Sequence, residues 1–169
     1  GTGRGAFARY LHALSGRADE SLISLTAASL TERNAEEQLL GREKDGEILA
    51  GAFERAGSGA LVIDELTDLT DPAQKALLAA FEDRSYRRID GNETVKLNAR
   101  VIATIGTDYE SKIKDGSLRR DLVAHLSVLK AGEATETEVM CLKLHKRRVS
   151  ACLVTPHVEQ LAILTRRSC

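Results

Sequence analysis

The sequence predicts a layered α/β unit with a mostly parallel sheet, and three observations carry that prediction. Helical and strand patterns alternate along most of the 169 residues, the signature of strands connected through helices. Ala60 is followed by Leu61-Val62-Ile63, an apolar run without polar alternation, as in a strand covered on both faces, and the run ends in the adjacent acids Asp64-Glu65. Finally, Gly1-Thr2-Gly3-Arg4-Gly5 leads straight into a helical pattern with Phe7, Leu11 and Leu14 on one face.

In chain order the patterns give a helix over 4–15, a strand over 22–27, a helix over 31–40 and the buried strand over 60–64. A helix over 72–83 follows, started by Asp71-Pro72: aspartate can cap free N–H groups, and proline suits the first helical position. Ala73, Leu77, Leu78 and Phe81 form its buried stripe. Ser85-Tyr86-Arg87-Arg88-Ile89 and Thr94-Val95-Lys96-Leu97 flank Asp90-Gly91-Asn92 and read as a hairpin, either with a functional role or as a solvated hairpin with ordinary basic residues. A strand over 100–105, helices over 110–115 and 117–124, and a strand over 126–130 complete the unit. Beyond it, Lys130 to Glu138 reads as a polar linker, 139–144 and 149–154 as a second hairpin, and Thr155-Pro156 as the start of a short helix through Leu164.

Composition fits a folded domain with a solvated surface: 43% hydrophobic, 29% charged, formal net charge −1. Near-neutrality gives no general pull toward DNA or membrane, and no transmembrane run or secretory signal is visible; the cytoplasm is the expected compartment. Cys141, Cys152 and Cys169 all fall in the last 39 residues, which argues against a disulfide framework. With His145 and His157 they make no close Cys-x-x-Cys pair, and a zinc site is not expected. Lys146-Arg147-Arg148 reads as a solvated turn, and His12 as packing on its helix.

The chemistry concentrates at two places. Ligands of parallel sheets collect at the carboxyl ends of the strands, where Asp64 and Glu65 fall. In a nucleotide hydrolase the first such acid holds magnesium and the second orients or deprotonates the attacking water. A solvated acidic turn is the plain alternative. The glycine turn opening a helix offers unpaired backbone N–H groups that attract phosphate, and it looks like the second half of a phosphate-binding loop. The complete loop needs three residues before Gly1 and a strand earlier still, and the only methionine is Met140, so the chain reads as a piece of a longer protein.

From Gly1 to about Val128 the sequence resembles the AAA+ ATPase domain of the sigma-54-dependent transcriptional activators, the bacterial enhancer-binding proteins. The resemblance rests on Gly1-Thr2-Gly3-Arg4-Gly5, Ala8-Arg9, Leu11-His12, Ser15 and Arg17, then Leu39-Leu40-Gly41, Phe53-Glu54-Arg55-Ala56, the acid pair and Asp68-Leu69. It implies a three-layer P-loop fold whose first strand is missing from this chain, in two parts: residues 1–130 as a partial ATPase domain and 131–169 as a tail. The tail reads either as a diverged lid or as sequence altered by truncation or a frame error. The missing strand would lie centrally, beside the fourth strand of the sheet, and its absence would leave a poorly stable fragment; the apolar segment 149–154 is expected to pair in that gap.

As implied by the resemblance, Gly1, Thr2, Gly3, Arg4 and Gly5 would hold the phosphates of ATP, Asp64 would coordinate Mg2+ through the nucleotide, and Glu65 would activate water. Arg119 would act on a neighbouring subunit's nucleotide within a homo-oligomeric ring. The chain departs from the family at several of these positions. Arg4 stands for the phosphate-binding lysine, Gly5 for the residue after it, Gly106 for the water-placing asparagine and His125 for the second arginine. Arg4, Gly106 and His125 favour a runner-up reading, a non-catalytic oligomerisation or nucleotide-sensing module, whereas the intact acid pair favours hydrolysis. The family's Gly-Ala-Phe-Thr-Gly-Ala loop, which contacts sigma-54, does not fit between Gly41 and Phe53, and this argues against that partner. DNA is expected to be reached only through a domain outside this chain, and no membrane is expected.

Overall fold

Leu61, Val62 and Ile63 lack polar alternation because each face of their strand packs against helices. The computed structural model describes residues 4–127, 140–142 and 152–154. Along the chain run α1 (Arg4–Ala13), β1 (Leu22–Thr26), α2 (Ala35–Leu40), β2 (Gly41–Lys44), β3 (Glu47–Ala50), α3 (Ala52–Ala56) and β4 (Ala60–Asp64). Then come α4 (Asp71–Asp83), β5 (Ser85–Arg87), β6 (Thr94–Lys96), β7 (Arg100–Thr104), α5 (Tyr109–Lys114), α6 (Arg120–Ser127), β8 (Met140–Leu142) and β9 (Cys152–Val154).

The main sheet has the order β1-β4-β7-β9-β8. β4 is parallel to β1 and to β7, with Leu61 opposite Ile23 on one side and Val101 on the other. Successive side chains of a strand point to opposite faces, and both faces are apolar here. Leu61, Ile63, Val101 and Ala103 join a core built with Leu39, Phe53, Leu77, Leu122 and Leu126. Ala60, Val62 and Ile102 instead pack with Ala8 and Leu11 of α1. Three layers follow directly from that two-sided burial. β9 pairs antiparallel with β7 and β8 antiparallel with β9, so Cys152–Val154, part of the segment 149–154 expected to fill the gap in the sheet, lies along β7.

Several expected elements shift, among them the helix expected over 117–124, which runs Arg120–Ser127, and the helix expected over 4–15, which ends at Ala13. The helix expected over 31–40 is regular only from Ala35, because Thr31 N–H turns to the side-chain oxygen of Asn34 at 2.7 Å and holds the preceding residues in a turn. α4 starts one residue earlier than expected, and its N-cap is Thr70, not Asp71. The Asp71 carboxylate instead pairs with Lys75 one turn on, at 2.6 Å. The strand expected from 126 is not one at its start: Leu126 and Ser127 close α6, whose helical spacing buries Leu122 and Leu126 together, and 128–130 lie outside the described residues. The expected linker over 130–138 and the short helix from Thr155 also lie outside them.

Between Gly41 and Phe53, β2 and β3 form a short antiparallel hairpin. Asp45 and Gly46, at φ +53° and +82°, make its two-residue turn, and paired positive φ values are what the right-handed twist of the strands favours. The β5–β6 hairpin forms as expected, with Tyr86 opposite Val95. The two hairpins are joined: Ile89 N–H donates to the Gly41 carbonyl and Glu43 N–H to the Ile89 carbonyl, both at 2.9 Å. Arg88, one of the basic residues of that hairpin segment, is buried at the junction. It donates to both Glu54 oxygens at 2.9 Å and to Glu43 at 3.1 Å.

Candidate functional site

The carboxyl edge of the parallel strands is organised by one hydroxyl. Thr104, the last residue of β7 and fully buried, donates from Oγ1 to Asp64 Oδ1 at 3.1 Å and accepts the Glu65 backbone N–H at 3.0 Å. Glu65 sits at φ +60°, ψ +59°, a left-handed conformation that costs an L-residue about 1–2 kcal/mol. Strain of that kind persists where surrounding contacts determine it, and the bond to Thr104 is one such contact. The chain then folds into a 3-10 turn, Leu66–Asp68, closed by Asp68 N–H to the Glu65 carbonyl at 2.8 Å. Both acids remain partly exposed at the sheet edge.

Helix α1 runs opposite to the strands. Just beyond its end, the Arg17 guanidinium donates to the carbonyls of Ser58 and Asn98, at 2.7 and 2.8 Å, and these residues lie immediately before β4 and β7. The end of α1 is therefore at the amino edge of the sheet, while Ala8 and Leu11 cross the middle of β4. Ten residues of helix span about 15 Å, which carries the first turn, Arg4 and Gly5, toward the edge where Asp64 lies. Gly1, Thr2 and Gly3 are outside the described residues. His12 is buried within this layer, its Nε2 donating to the Glu20 carbonyl at 3.2 Å, which agrees with a packing role.

Arg119 lies just before α6. Its guanidinium makes a two-point contact with Asp121, Nε to Oδ1 at 3.2 Å and Nη2 to Oδ2 at 2.8 Å. The Asp121 carboxylate raises the Arg119 pKa, and Arg119 holds the Asp121 carboxyl below its ordinary value. Asp64 and Glu65 are thus gathered by Thr104, while Arg119 pairs within its own segment. His125, one helical turn after Asp121, has Nε2 3.7 Å from Glu82 Oε1. At Gly106, a Cβ would run into the Asp108 carboxylate and stand 3.2 Å from Thr67 Oγ1. Neighbouring polar groups occupy the space a larger side chain would need.

Among the described residues no group of three or more His, Cys, Asp or Glu side chains converges to hold a metal alone. Magnesium is commonly held by one or two carboxylates together with substrate phosphates. Asp64, a hard oxygen donor steadied by Thr104, fits that donor set.

Sequence reasoning missed three residues that shape this edge: Thr104, Gln74 and Lys112. Lys112 donates to the Thr67 carbonyl at 3.0 Å and to Asp68 at 2.9 Å, and its pKa is raised, chiefly by the bond to Asp68. Gln74 is buried and bonded to Leu69, Ser117 and Arg119. Its one visible signal is an amide standing beside Ala73 in the apolar stripe of α4.

A mostly parallel sheet between helical layers, with paired acids at the carboxyl edge toward which the first turn of α1 extends, has the architecture of the AAA+ P-loop class. Residues 1–131 match the family described as the Sigma-54 interaction domain, and the chain belongs to that family. It is 37% identical over 134 residues to the transcriptional regulatory protein FlbD of Caulobacter vibrioides, covering 76% of this chain and 30% of the relative. The crystal structure of NtrX from Brucella abortus matches with a TM-score of 0.71 at 35% identity, over 76% of this chain and 30% of that one. NtrX in complex with ATP matches at 0.70 and 33% identity, over 76% of this chain and 29% of that one. The chain spans about 30% of the length of the curated relative FlbD. Among the described residues no helix is long and apolar enough to cross a membrane.

Proposed function

We propose that this chain is the ATP-binding AAA+ domain of a sigma-54-activator-like transcriptional regulator, and that residues 1–130 form the ATPase unit with 131–169 as a separate tail. The observation that carries the reading is the Thr104 clasp, which holds the Asp64 carboxylate and the Glu65 backbone N–H together at the carboxyl edge of the sheet. The existence of an NtrX structure in complex with ATP supports it. Asp64 is the magnesium ligand, Glu65 the group that orients and deprotonates water, and the turn from Gly1 to Gly5 the phosphate cradle. Bound magnesium would neutralise charge developing on the phosphates. Arg119 reaches a neighbouring subunit's nucleotide in a ring, exchanging Asp121 for phosphate, since a guanidinium fork matches either anion.

A second reading, a non-catalytic oligomerisation or nucleotide-sensing module, is favoured by the crowding at Gly106 and by His125 facing Glu82. Remodelling of sigma-54 by the family's usual loop is not proposed, because β2 and β3 form a tight hairpin between Gly41 and Ala50. Turnover of ATP by the full-length gene product, compared with its Glu65→Gln variant, separates the two readings. Hydrolysis predicts a loss of at least about 100-fold with nucleotide binding retained, in line with removal of a general base. Turnover that the substitution leaves unchanged, or that is absent from the parent protein, rejects the enzymatic reading.

A further inference from the structure

We infer that Gln74 is the positioning residue for Arg119, so that the arginine's action on a neighbouring nucleotide depends on one buried amide of α4; this rests on the role given to Arg119 above. Gln74 is 1% exposed. Its Oε1 accepts the Arg119 backbone N–H at 2.8 Å, and its Nε2 donates to the Ser117 carbonyl at 2.8 Å and the Leu69 carbonyl at 2.9 Å. The amide thus grips the backbone on both sides of Leu118, whose side chain is buried in the core. With two points of one short segment fixed and the residue between them anchored, the Cα of Arg119 has little freedom, and the arginine is launched from a set position.

The third bond gives the clamp its reach. Leu69 closes the turn that begins at Glu65, so one side chain ties the exit of the acid pair to the base of the arginine. Lys112 makes a second tie between the same two segments: it holds Thr67 and Asp68 through Nζ, while its own carbonyl accepts the Leu118 N–H at 2.9 Å. Packing alone does not call for an amide at this place, because the rest of the buried stripe is Ala73, Leu77, Leu78 and Ala80. A leucine or methionine would fill the volume and leave three backbone groups without their partner. The guanidinium is bonded to the exposed Asp121, a contact that water or phosphate can replace, whereas the backbone clamp is internal.

The test is a turnover cycle on the full-length gene product assembled with ATP, using wild type, Arg119→Ala, Gln74→Met and the double variant. A positioning role predicts about a 10-fold loss of kcat for Gln74→Met with KM changed by less than about threefold, and a double variant no slower than Arg119→Ala, because residues acting as a unit are non-additive. Subunit mixing supplies a readout that general damage does not move. Glu65→Gln subunits, inactive at their own site but carrying a well-placed Arg119, should restore turnover at the intact sites of Gln74→Met neighbours. Gln74→Glu, which keeps the acceptor for the Arg119 N–H and loses both donations, replaces Gln74→Met if the latter does not fold. An Arg119→Ala variant as fast as wild type overturns the role of Arg119 itself. A slow Arg119→Ala combined with normal Gln74 variants, with multiplicative losses in the double variant, or with no rescue on mixing, overturns the role of Gln74 alone.

Discussion

Arg88 shows how a single side chain can define a junction. Its guanidinium is buried, while Glu54 and Glu43 beside it keep about a third of their side-chain surface. The hydrogen bonds from Arg88 hold the Glu54 carboxyl below its ordinary value of 4.5. A carboxylate depressed in the folded state stabilises the fold fully above its unfolded pKa, and the stabilisation is lost as pH falls through the lower folded value. Unfolding by urea should therefore show stability falling as the solution is acidified below about pH 4.5, and Glu54→Gln should flatten that slope. Arg88→Met should cost about 2–3 kcal/mol at neutral pH and abolish the same slope, a value below that for fully buried pairs because the acids are partly solvated. An acid slope identical in wild type and in both variants would show that this pair does not set it.

At the scale of elements, legibility followed how local the cause was. The buried β4 was readable because covered faces forbid polar alternation, and α4 because its stripe and Pro72 are local signals. The β5–β6 hairpin was readable from the turn residues between its strands. The β2–β3 hairpin was not assigned, although Asp45-Gly46 is a strong turn pair, because Arg42, Glu43 and Lys44 give no apolar alternation to flank it. Its base is fixed by close backbone approach: a Cβ at Gly51 would collide with the backbone of Gly41, Leu39 and Leu40. Gly51 has φ −77°, so the constraint is space, not conformation. Gly51→Ala should pry the hairpin from the end of α2 and destabilise the domain by about 1–3 kcal/mol, as overpacking does. The control is Gly46→Ala at the open turn, where no atom lies within 4 Å and φ is +82°; it should act only through backbone strain of about 1 kcal/mol. Equal urea midpoints for wild type and Gly51→Ala would refute the close-approach account.

For the whole molecule, the sheet depends on contacts between residues far apart in the chain, and these could not be read in advance. Thr104 meets Asp64 across 40 positions, Arg88 meets Glu54 across 34 and Gln74 meets Ser117 across 43; each pair becomes visible only once the strands have a register. The edge of β7 depends on the same long-range closure. An uncovered strand edge presents a row of unpaired N–H and carbonyl groups, and β9 covers β7 through Ile102 with Val154, Ala103 with Leu153 and Thr104 with Cys152. Leu153 is central, since it also faces Cys141 of β8. Its backbone N–H must serve one neighbour or the other, so a proline there removes a ladder bond whichever strand receives it. Leu153→Pro should cost at least about 1–3 kcal/mol for the lost bond and its orphaned acceptor. Hydrogen exchange at Ala103, whose N–H faces β9 because that of Arg100 three residues earlier faces the β4 side, should accelerate strongly, while that at Ile23 and Leu25, on the far side of β4, changes little. Because Thr104 also holds Asp64 and the Glu65 N–H, loosening this edge should reach the acid pair as well. Unaltered protection along β7 would mean that β9 is not what closes the sheet.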